Sequence, residues 1–298
     1  MPPPTRLSAD RIAQLLSAAV GPTDGPTLLH DRAAVVVHEN GMASDLDEAL
    51  ELVEPFLEDV KVRIFRIREL AEAQGVAWTI ELYGSSDEFV RGSSFEDPTL
   101  SREIQRVRAN RAHVVTVAQL LRALTPVEFE GACTQILRIM GCVEPKTSPL
   151  RNDGGIDFYG RLELKGRLDS ILPYGGIDGR AGVWLIGQAK HYPTSAIQTA
   201  HLRELVGSVE LARTGGAIHQ WEGLSLRPFD ATLMLIFTTG RFSAGAHQLL
   251  AQSGMLAMDG AQLATFLCDA SVGFADDGSG FDPDLFRQGL LEQSLSTS

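Results

Sequence analysis

The sequence lacks several features that would assign it to a protein class at once. None of its apolar runs approaches the roughly 18 residues that span a bilayer, and its N-terminal stretch MPPPTRLSADR has no apolar signal-peptide core. Cysteine is scarce: there are three, without the CxxC or Cys/His spacing of a metal site. We therefore expect no membrane span, disulfide framework or zinc finger, and we expect a cytoplasmic protein.

Positive charge is also in short supply. The 298 residues carry 26 Lys and Arg against 38 Asp and Glu, a formal net charge of −12. Because basic surfaces favour phosphate binding, any contact with nucleic acid must be local. The densest basic stretch, SREIQRVRANRAH, is a candidate for such a contact, or else a solvated helix face paired with acidic neighbours; its arginines are Arg102, Arg106, Arg108 and Arg111.

Hydrophobic periodicity changes near residue 115. Residues 1–114 predict a mainly helical region, with helices over 7–20 and 45–74, a strand at 76–83 and a polar loop up to about residue 98. This region carries no chemistry that the sequence identifies, and its helices are candidates for a scaffold, a surface that binds a protein partner, or a sensor.

Residues 115–270 alternate helices with strands. This order predicts an α/β domain whose sheet is covered by helices on both faces, with ATLMLIFTT as the central, doubly buried strand. Residues 271–298 predict a loop followed by one short amphipathic helix.

The candidate chemistry lies in the strand VWLIGQAKHY. Alternation along a strand places Gln188 and Lys190 on one face, and a buried lysine requires an anionic partner or a bound ion's ligands nearby. Upstream, NDGGIDFYG presents Asp157 after a Gly-Gly turn. A carboxylate beside a glutamine and a lysine suits a hard divalent cation such as Mg²⁺, which binds oxygen ligands. Lys190 would orient water or stabilise charge on a phosphate.

Five stretches in this order resemble the Mrr-type catalytic domain, a branch of the PD-(D/E)xK nuclease superfamily that carries Gln in place of Glu. They cover about residues 124–268 and read PVEFEGACTQILRIMGC, NDGGIDFYG, WLIGQAKHY, LIFTTGRFSAGAHQLL and MLAMDGAQLATFL. The resemblance implies a restriction-endonuclease-like mixed sheet flanked by helices. It also implies metal-dependent cleavage of DNA, with Asp157, Gln188 and Lys190 at the catalytic positions.

Glu130 follows the phenylalanine of the first of these stretches, and the resemblance makes it a further site residue, as a ligand or a water-holder. Glu128 has a different expected role. Thr125, Pro126 and Glu128 have the spacing of an N-cap, a first-turn proline and the acid of a capping box.

The sequence departs from the family pattern between Asp157 and Lys190. The intervening segment is longer than the family's and contains a second GGID, which ends at Asp178. Asp178 is therefore a rival metal ligand, although Asp157 better matches the family's position. Tyr192 returns to the face of Lys190, and Arg203 lies on the following helix; both are candidate nucleic-acid contacts.

The sequence leads to one main hypothesis and two alternatives. The main hypothesis is a Mg²⁺-dependent endonuclease, with Mn²⁺ as a substitute, that cuts DNA in restriction or anti-phage defence. Because cutting both strands calls for two sites, a homodimer or higher assembly is expected. The alternatives are a non-catalytic effector that binds nucleic acid or a protein partner, and a nuclease acting on RNA or single strands.

Overall fold

The computed structural model describes residues 7–148, 155–165, 181–215, 221–275 and 280–291. Within it the chain divides into two compact units, Met1–Val114 and Val115–Ser298. None of the helices in these ranges combines the length and apolar character that a bilayer span requires.

The first unit is mainly helical and has a small antiparallel sheet. Its elements are α1 (Ala9–Ala19), β1 (Thr27–Leu28), α2 (Leu29–Glu39), α3 (Leu46–Val53), a 3-10 helix (Glu54–Phe56), α4 (Leu57–Ala73), β2 (Ile80–Tyr83), β3 (Phe89–Gly92) and α5 (Arg102–Arg111). The strand order is β1-β3-β2. Apolar residues at helical spacing on α1 to α4 form its core, which closes over Ile80 and Val90 of the sheet.

One element of this unit was predicted wrongly. The polar loop expected before residue 98 contains β3, which pairs with both β1 and β2. Its Arg91 is buried, and the Nε and Nη1 atoms of that side chain donate to Glu81 and Asp97, each at 2.7 Å. Because these carboxylates satisfy the guanidinium, a strand that carries a charged residue can be buried.

The second unit is built on one mixed sheet. Its elements are α6 (Val114–Ala123), α7 (Pro126–Ile139), β4 (Val143–Thr147), β5 (Phe158–Glu163), β6 (Gly182–Lys190), β7 (Ala196–Ile197), α8 (Thr199–Thr214), β8 (Ala231–Thr238), β9 (Arg241–Phe242), α9 (Ala244–Ser253), β10 (Leu256–Met258), α10 (Gly260–Asp269) and α11 (Pro283–Leu291). The order β10-β8-β6-β5-β4 is parallel from β10 to β6 and antiparallel from β6 to β4. The predicted fold class is confirmed.

The central strand is β6, and the prediction that β8 would be central is wrong. Although β8 lies inside the sheet, its neighbour β10 has only three residues and pairs only with Leu235–Phe237. Within the described part of the chain, the first half of β8 therefore has no neighbouring strand on one side and is partly exposed. Only the second half of β8 is fully buried.

Helices cover both faces of this sheet. On one face, Leu205 and Val209 of α8 pack against Ile186 and Tyr159. On the other, the ring of Phe158 stacks on Phe237, with ring centroids 5.2 Å apart. The latter face is covered by α7, which begins at the predicted capping box of Thr125 and Glu128. The last helix, α11, packs on α7.

Candidate active site at one edge of the sheet

The structure brings Asp157, Gln188 and Lys190 together at one edge of the sheet, namely the edge at which β5 begins and β6 ends. β5 runs antiparallel to β6, so the residue that precedes β5 lies beside the end of β6. The backbone N–H of Asp157 donates to the carbonyl of Gly187 at 2.9 Å. In return, the N–H of Ala189 donates to the Oδ2 atom of Asp157 at 2.7 Å. The carboxylate is thereby fixed beside the peptide that links Gln188 to Lys190.

These three side chains differ in burial. Asp157 is 7% exposed and Gln188 1% exposed, whereas the side chain of Lys190 is 17% exposed. The Oε1 atom of Gln188 is buried and has no hydrogen-bond partner among the described residues. Burying an amide oxygen without a hydrogen-bond donor costs folding free energy. A hard divalent cation would satisfy this oxygen, because such cations bind oxygen ligands.

Gly155 brings the turn before Asp157 close to α8. Its φ is +83°, a left-handed conformation that favours glycine. A Cβ at this position would lie 2.7 Å from the Oγ atom of Ser208, 3.5 Å from Nε2 of Gln188 and 3.6 Å from Cγ of Glu204. The turn, β6 and α8 therefore meet at this point, with no room for a side chain.

The ammonium group of Lys190 forms an ion pair that sequence reasoning missed. Its Nζ atom lies 3.8 Å from Oε2 of Glu204 on α8. The spacing of apolar residues in TAHLRELVGSV could have indicated this pair, because Leu202, Leu205 and Val209 recur at helical spacing and form the buried face of α8. An acid immediately before Leu205 projects beside the end of β6.

The second unit matches a known family. A sequence model of the restriction endonuclease family, Mrr_cat, matches residues 121–267. These residues form an Mrr-type restriction endonuclease domain. The resemblance stated from the sequence is confirmed, and the match contains Asp157, Gln188, Lys190 and Glu130.

One solved structure similar to this chain is that of the MspJI restriction endonuclease in complex with a 27-mer oligonucleotide. The identity is 21% and the TM-score 0.40, over 71% of this chain and 40% of that chain. This chain therefore spans less than half the length of that protein. No curated protein sequence matches.

Glu130 of the Mrr-type domain lies on α7, half-buried, two residues after the capping-box acid Glu128. Burial raises the pKa of the Cys133 thiol well above its ordinary value, and the nearby carboxylates of Asp157 and Glu130 raise it further. Asp157 and Glu130 are thus the two acids whose charges act on this buried thiol. All three cysteines are free and buried.

The rival ligand Asp178 falls outside the described residues. Within them, no group of three or more His, Cys, Asp and Glu side chains is arranged to hold a metal ion. The oxygen ligands that the described site offers are the carboxylate of Asp157 and the amide oxygen of Gln188. Divalent metal ions are general among restriction endonucleases, and these two groups fit such an ion.

The remaining candidate residues have different surroundings. Tyr192 follows β6 and its ring packs edge-on against His201, with centroids 5.6 Å apart, while Arg203 is exposed on α8. In the first unit, Arg102 and Arg106 are exposed on α5.

Two arginines of α5 have contacts inside the first unit. Arg108 donates to both carboxylate oxygens of Glu81, at 2.7 and 3.2 Å, and Arg111 lies over the ring of Trp78, 5.6 Å from its centroid. Of the four arginines in SREIQRVRANRAH, these two contribute to the packing of that unit.

Proposed function

We propose that the Mrr-type domain is an endonuclease that hydrolyses phosphodiester bonds of DNA and depends on a divalent cation, Mg²⁺ with Mn²⁺ as a substitute. The observation that supports this most directly is the buried Oε1 atom of Gln188, which has no hydrogen-bond partner among the described residues. It belongs to a side chain adjacent to the fixed carboxylate of Asp157 and two residues before Lys190. A site with these three groups suits phosphate chemistry and has no evident use in folding alone.

Each residue has a distinct role in this proposal. Asp157 and Gln188 would hold the cation, which when bound would neutralise charge on the phosphate and lower the pKa of water. Lys190 stabilises the negative charge that develops on the phosphate. Glu130 holds water at the same edge. The oxygen of a water molecule bonds to phosphorus and gives up a proton while a phosphorus–oxygen ester bond breaks, and the departing oxygen gains a proton and leaves as a hydroxyl.

The proposal also covers the oligomeric state, the role of the first unit and the biological role. Cutting both strands of a duplex calls for two such sites, so the active form would be a homodimer or higher assembly. The first unit would recruit a partner or regulate activity through its helices. The candidate contacts to nucleic acid are Arg102 and Arg106 in the first unit and Tyr192 and Arg203 in the second. The restriction endonuclease family to which residues 121–267 belong supports a role in restriction or anti-phage defence, which would take place in the cytoplasm.

A second candidate is a non-catalytic effector with a nuclease fold. The net charge of −12 favours it, because an acidic protein binds DNA weakly unless basic residues are concentrated locally. The internal contacts of Arg108 and Arg111 favour it too, because they remove two guanidinium groups from the local basic cluster.

Cleavage of plasmid DNA separates these candidates. Supercoiled plasmid, modified and unmodified, is incubated with Mg²⁺ or Mn²⁺ and the wild type, Asp157→Asn or Lys190→Ala. Lys146→Ala is the matched control, since Lys146 lies on β4, pairs with Glu222 at 2.9 Å and has no role in the proposed chemistry. We expect nicking or linearisation by the wild type and the control only.

RNA and single-stranded DNA are tested under the same conditions. If the protein cleaves RNA alone, or single-stranded DNA alone, that nucleic acid is the substrate of the nuclease in place of duplex DNA. If Lys190→Ala matches the wild type on every substrate, the endonuclease proposal is refuted and the effector takes its place.

A further inference from the structure

The partner of Lys190 is a carboxylate outside the strand motifs. Glu204 lies on α8, with its Oε2 atom 3.8 Å from the Nζ atom of Lys190; the side chains are 51% and 17% exposed, respectively. This distance allows Coulomb attraction but exceeds that of a direct hydrogen bond. An ion pair with one half-exposed partner contributes at most about 1 kcal/mol to folding, so stability gives little reason for it.

The position of Glu204 is fixed by the packing of α8. The neighbouring Leu205 is fully buried against Ile186 in the face of the sheet that β6 contributes. One turn earlier, Leu202 is fully buried against Ile236 of β8. Leu202 and Leu205 thus dock α8 on β8 and β6 on either side of Glu204.

Gly155 adds an independent reason to place Glu204 within the site. A Cβ on Gly155 would lie within 3.6 Å of Ser208, of the amide nitrogen of Gln188 and of the Cγ atom of Glu204. The side chain of Glu204 therefore begins at the point where α8 meets the turn before Asp157 and the amide of Gln188.

We propose that Glu204 is a positioning residue, whose carboxylate holds the ammonium group of Lys190 at the edge where Asp157 and Gln188 lie. This inference rests on the proposed function. A lysine has four rotatable bonds and a mobile charge, so a fixed anion on a packed helix restricts where the ammonium lies. Positioning of this kind acts on the rate of the chemical step, because small displacements of a reacting group are expensive.

The test compares two glutamates on one helix. Glu204→Gln removes the charge at constant shape, and Glu204→Asp retains it. Glu210→Gln is the matched control, because Glu210 also lies on α8, is 55% exposed and pairs with Arg213 at 3.7 Å. We expect Glu204→Gln to lower kcat on plasmid by about 10- to 100-fold with KM and Tm unchanged, Glu204→Asp to recover most of the activity, and Glu210→Gln to match the wild type.

A second readout does not depend on activity. The chain has four lysines, at 61, 146, 165 and 190, so ¹³C-dimethylated lysine signals can be assigned by single Lys→Arg variants. We expect Glu204→Gln to shift the Lys190 signal and Glu210→Gln to leave it in place. If the wild type cuts no substrate, the proposed function fails, and this readout alone decides the contact between Glu204 and Lys190.

Three results would overturn the positioning role. The first is that Glu204→Gln has the kcat of Glu210→Gln. The second is that kcat falls only together with Tm and the Lys190 signal does not move. The third applies if Glu204→Gln does not fold: Glu204→Asp then has to keep most of the wild-type kcat and the wild-type Lys190 signal, and a loss of either refutes the proposal.

Discussion

The side chain of Thr238 ties the last residue of β8 to the last residue of β6. Its hydroxyl donates to the carbonyl of Lys190 at 2.8 Å and accepts from the N–H of Gly240 at 3.1 Å. Thr238 is fully buried. One hydroxyl therefore fixes the end of the strand that carries Lys190 and the turn that follows β8.

Loss of this hydroxyl should destabilise the second unit. Thr238→Val keeps the shape but leaves a buried N–H and a carbonyl without this partner, so we expect a loss of about 1–3 kcal/mol in the free energy of unfolding, measured by urea denaturation. Thr238→Ser keeps the hydroxyl and should lose less than Thr238→Val. Equal losses from both variants would mean that the hydrogen bonds are not the cause.

A side chain at Gly155 should be poorly tolerated. Gly155→Ala places a Cβ 2.7 Å from the Oγ atom of Ser208 at φ +83°, so we expect a destabilisation of about 1–3 kcal/mol, visible in Tm, and slower cleavage. The double variant Gly155→Ala with Ser208→Ala removes the clash but not the backbone strain, and should recover part of the loss.

Gly207 provides the matched control for that experiment. It lies on the same helix as Ser208, and nothing would meet a Cβ there within 4 Å. Gly207→Ala should stabilise the protein by up to about 1 kcal/mol through helix propensity. A Gly155→Ala variant that behaves in the same way would contradict the close approach described above.

Acid should weaken the start of α7 through Glu128. Hydrogen bonds from the N–H of Thr125 and from Arg287 lower the pKa of Glu128 from 4.5 to about 2. A carboxyl whose pKa is lower in the folded state contributes stability above its unfolded pKa and loses it as pH falls toward its folded pKa. The wild type should therefore be more stable than Glu128→Gln at pH 7, and this difference should shrink between pH 4.5 and pH 2.

The measurement is the free energy of unfolding of both proteins across this range. A difference that is constant with pH would show that the contribution of Glu128 does not depend on its charge. Loss of the difference already above pH 5 would contradict the lowered pKa.

The first unit should depend strongly on Arg91. This guanidinium lies between Glu81 and Asp97 and is 7% exposed. Arg91→Met leaves the buried Asp97 without its cation, while Glu81 keeps its hydrogen bonds from Arg108, so we expect a destabilisation of about 3 kcal/mol, the lower end of the range for one lost partner of a buried pair. The lowered pKa of Asp97, caused by Thr99 and by Arg91, should rise toward its ordinary value.

A surface pair gives the contrast. Arg63 lies 3.1 Å from Asp10, and both side chains are more than a third exposed. Arg63→Met should change the free energy of unfolding by less than about 1 kcal/mol. Similar effects of the two substitutions in denaturant titrations would mean that the Arg91 network is not what holds β2 and β3.

Local rules predicted much of this structure because they depend on neighbours in sequence. The capping box at Thr125 and Glu128, with Pro126 in the first turn, follows from short-range hydrogen bonding and proline geometry. The α/β class and the Mrr-type resemblance were likewise readable from the order of motifs.

Relations between distant residues were harder to predict. β8 has the apolar composition of a central strand, but its place depends on the length of β10, which apolar content does not reveal. Glu204 is 14 positions after Lys190, and their pairing depends on how α8 docks. The strand β3 was missed because the partners that satisfy Arg91 lie on β2 and beyond β3. The choice between Asp157 and Asp178 stays a prediction, because Asp178 lies outside the described residues.

The helix α11 sets a practical limit on how the nuclease domain can be isolated. The family match ends at residue 267, yet Phe286 and Leu290 of α11 are buried and Arg287 binds the first turn of α7 through Glu128 at 2.7 Å. A recombinant domain trimmed to the matched segment would expose an apolar face of α7, the helix that carries Glu130, and would invite aggregation. Expression of the domain alone should therefore extend at least to residue 291.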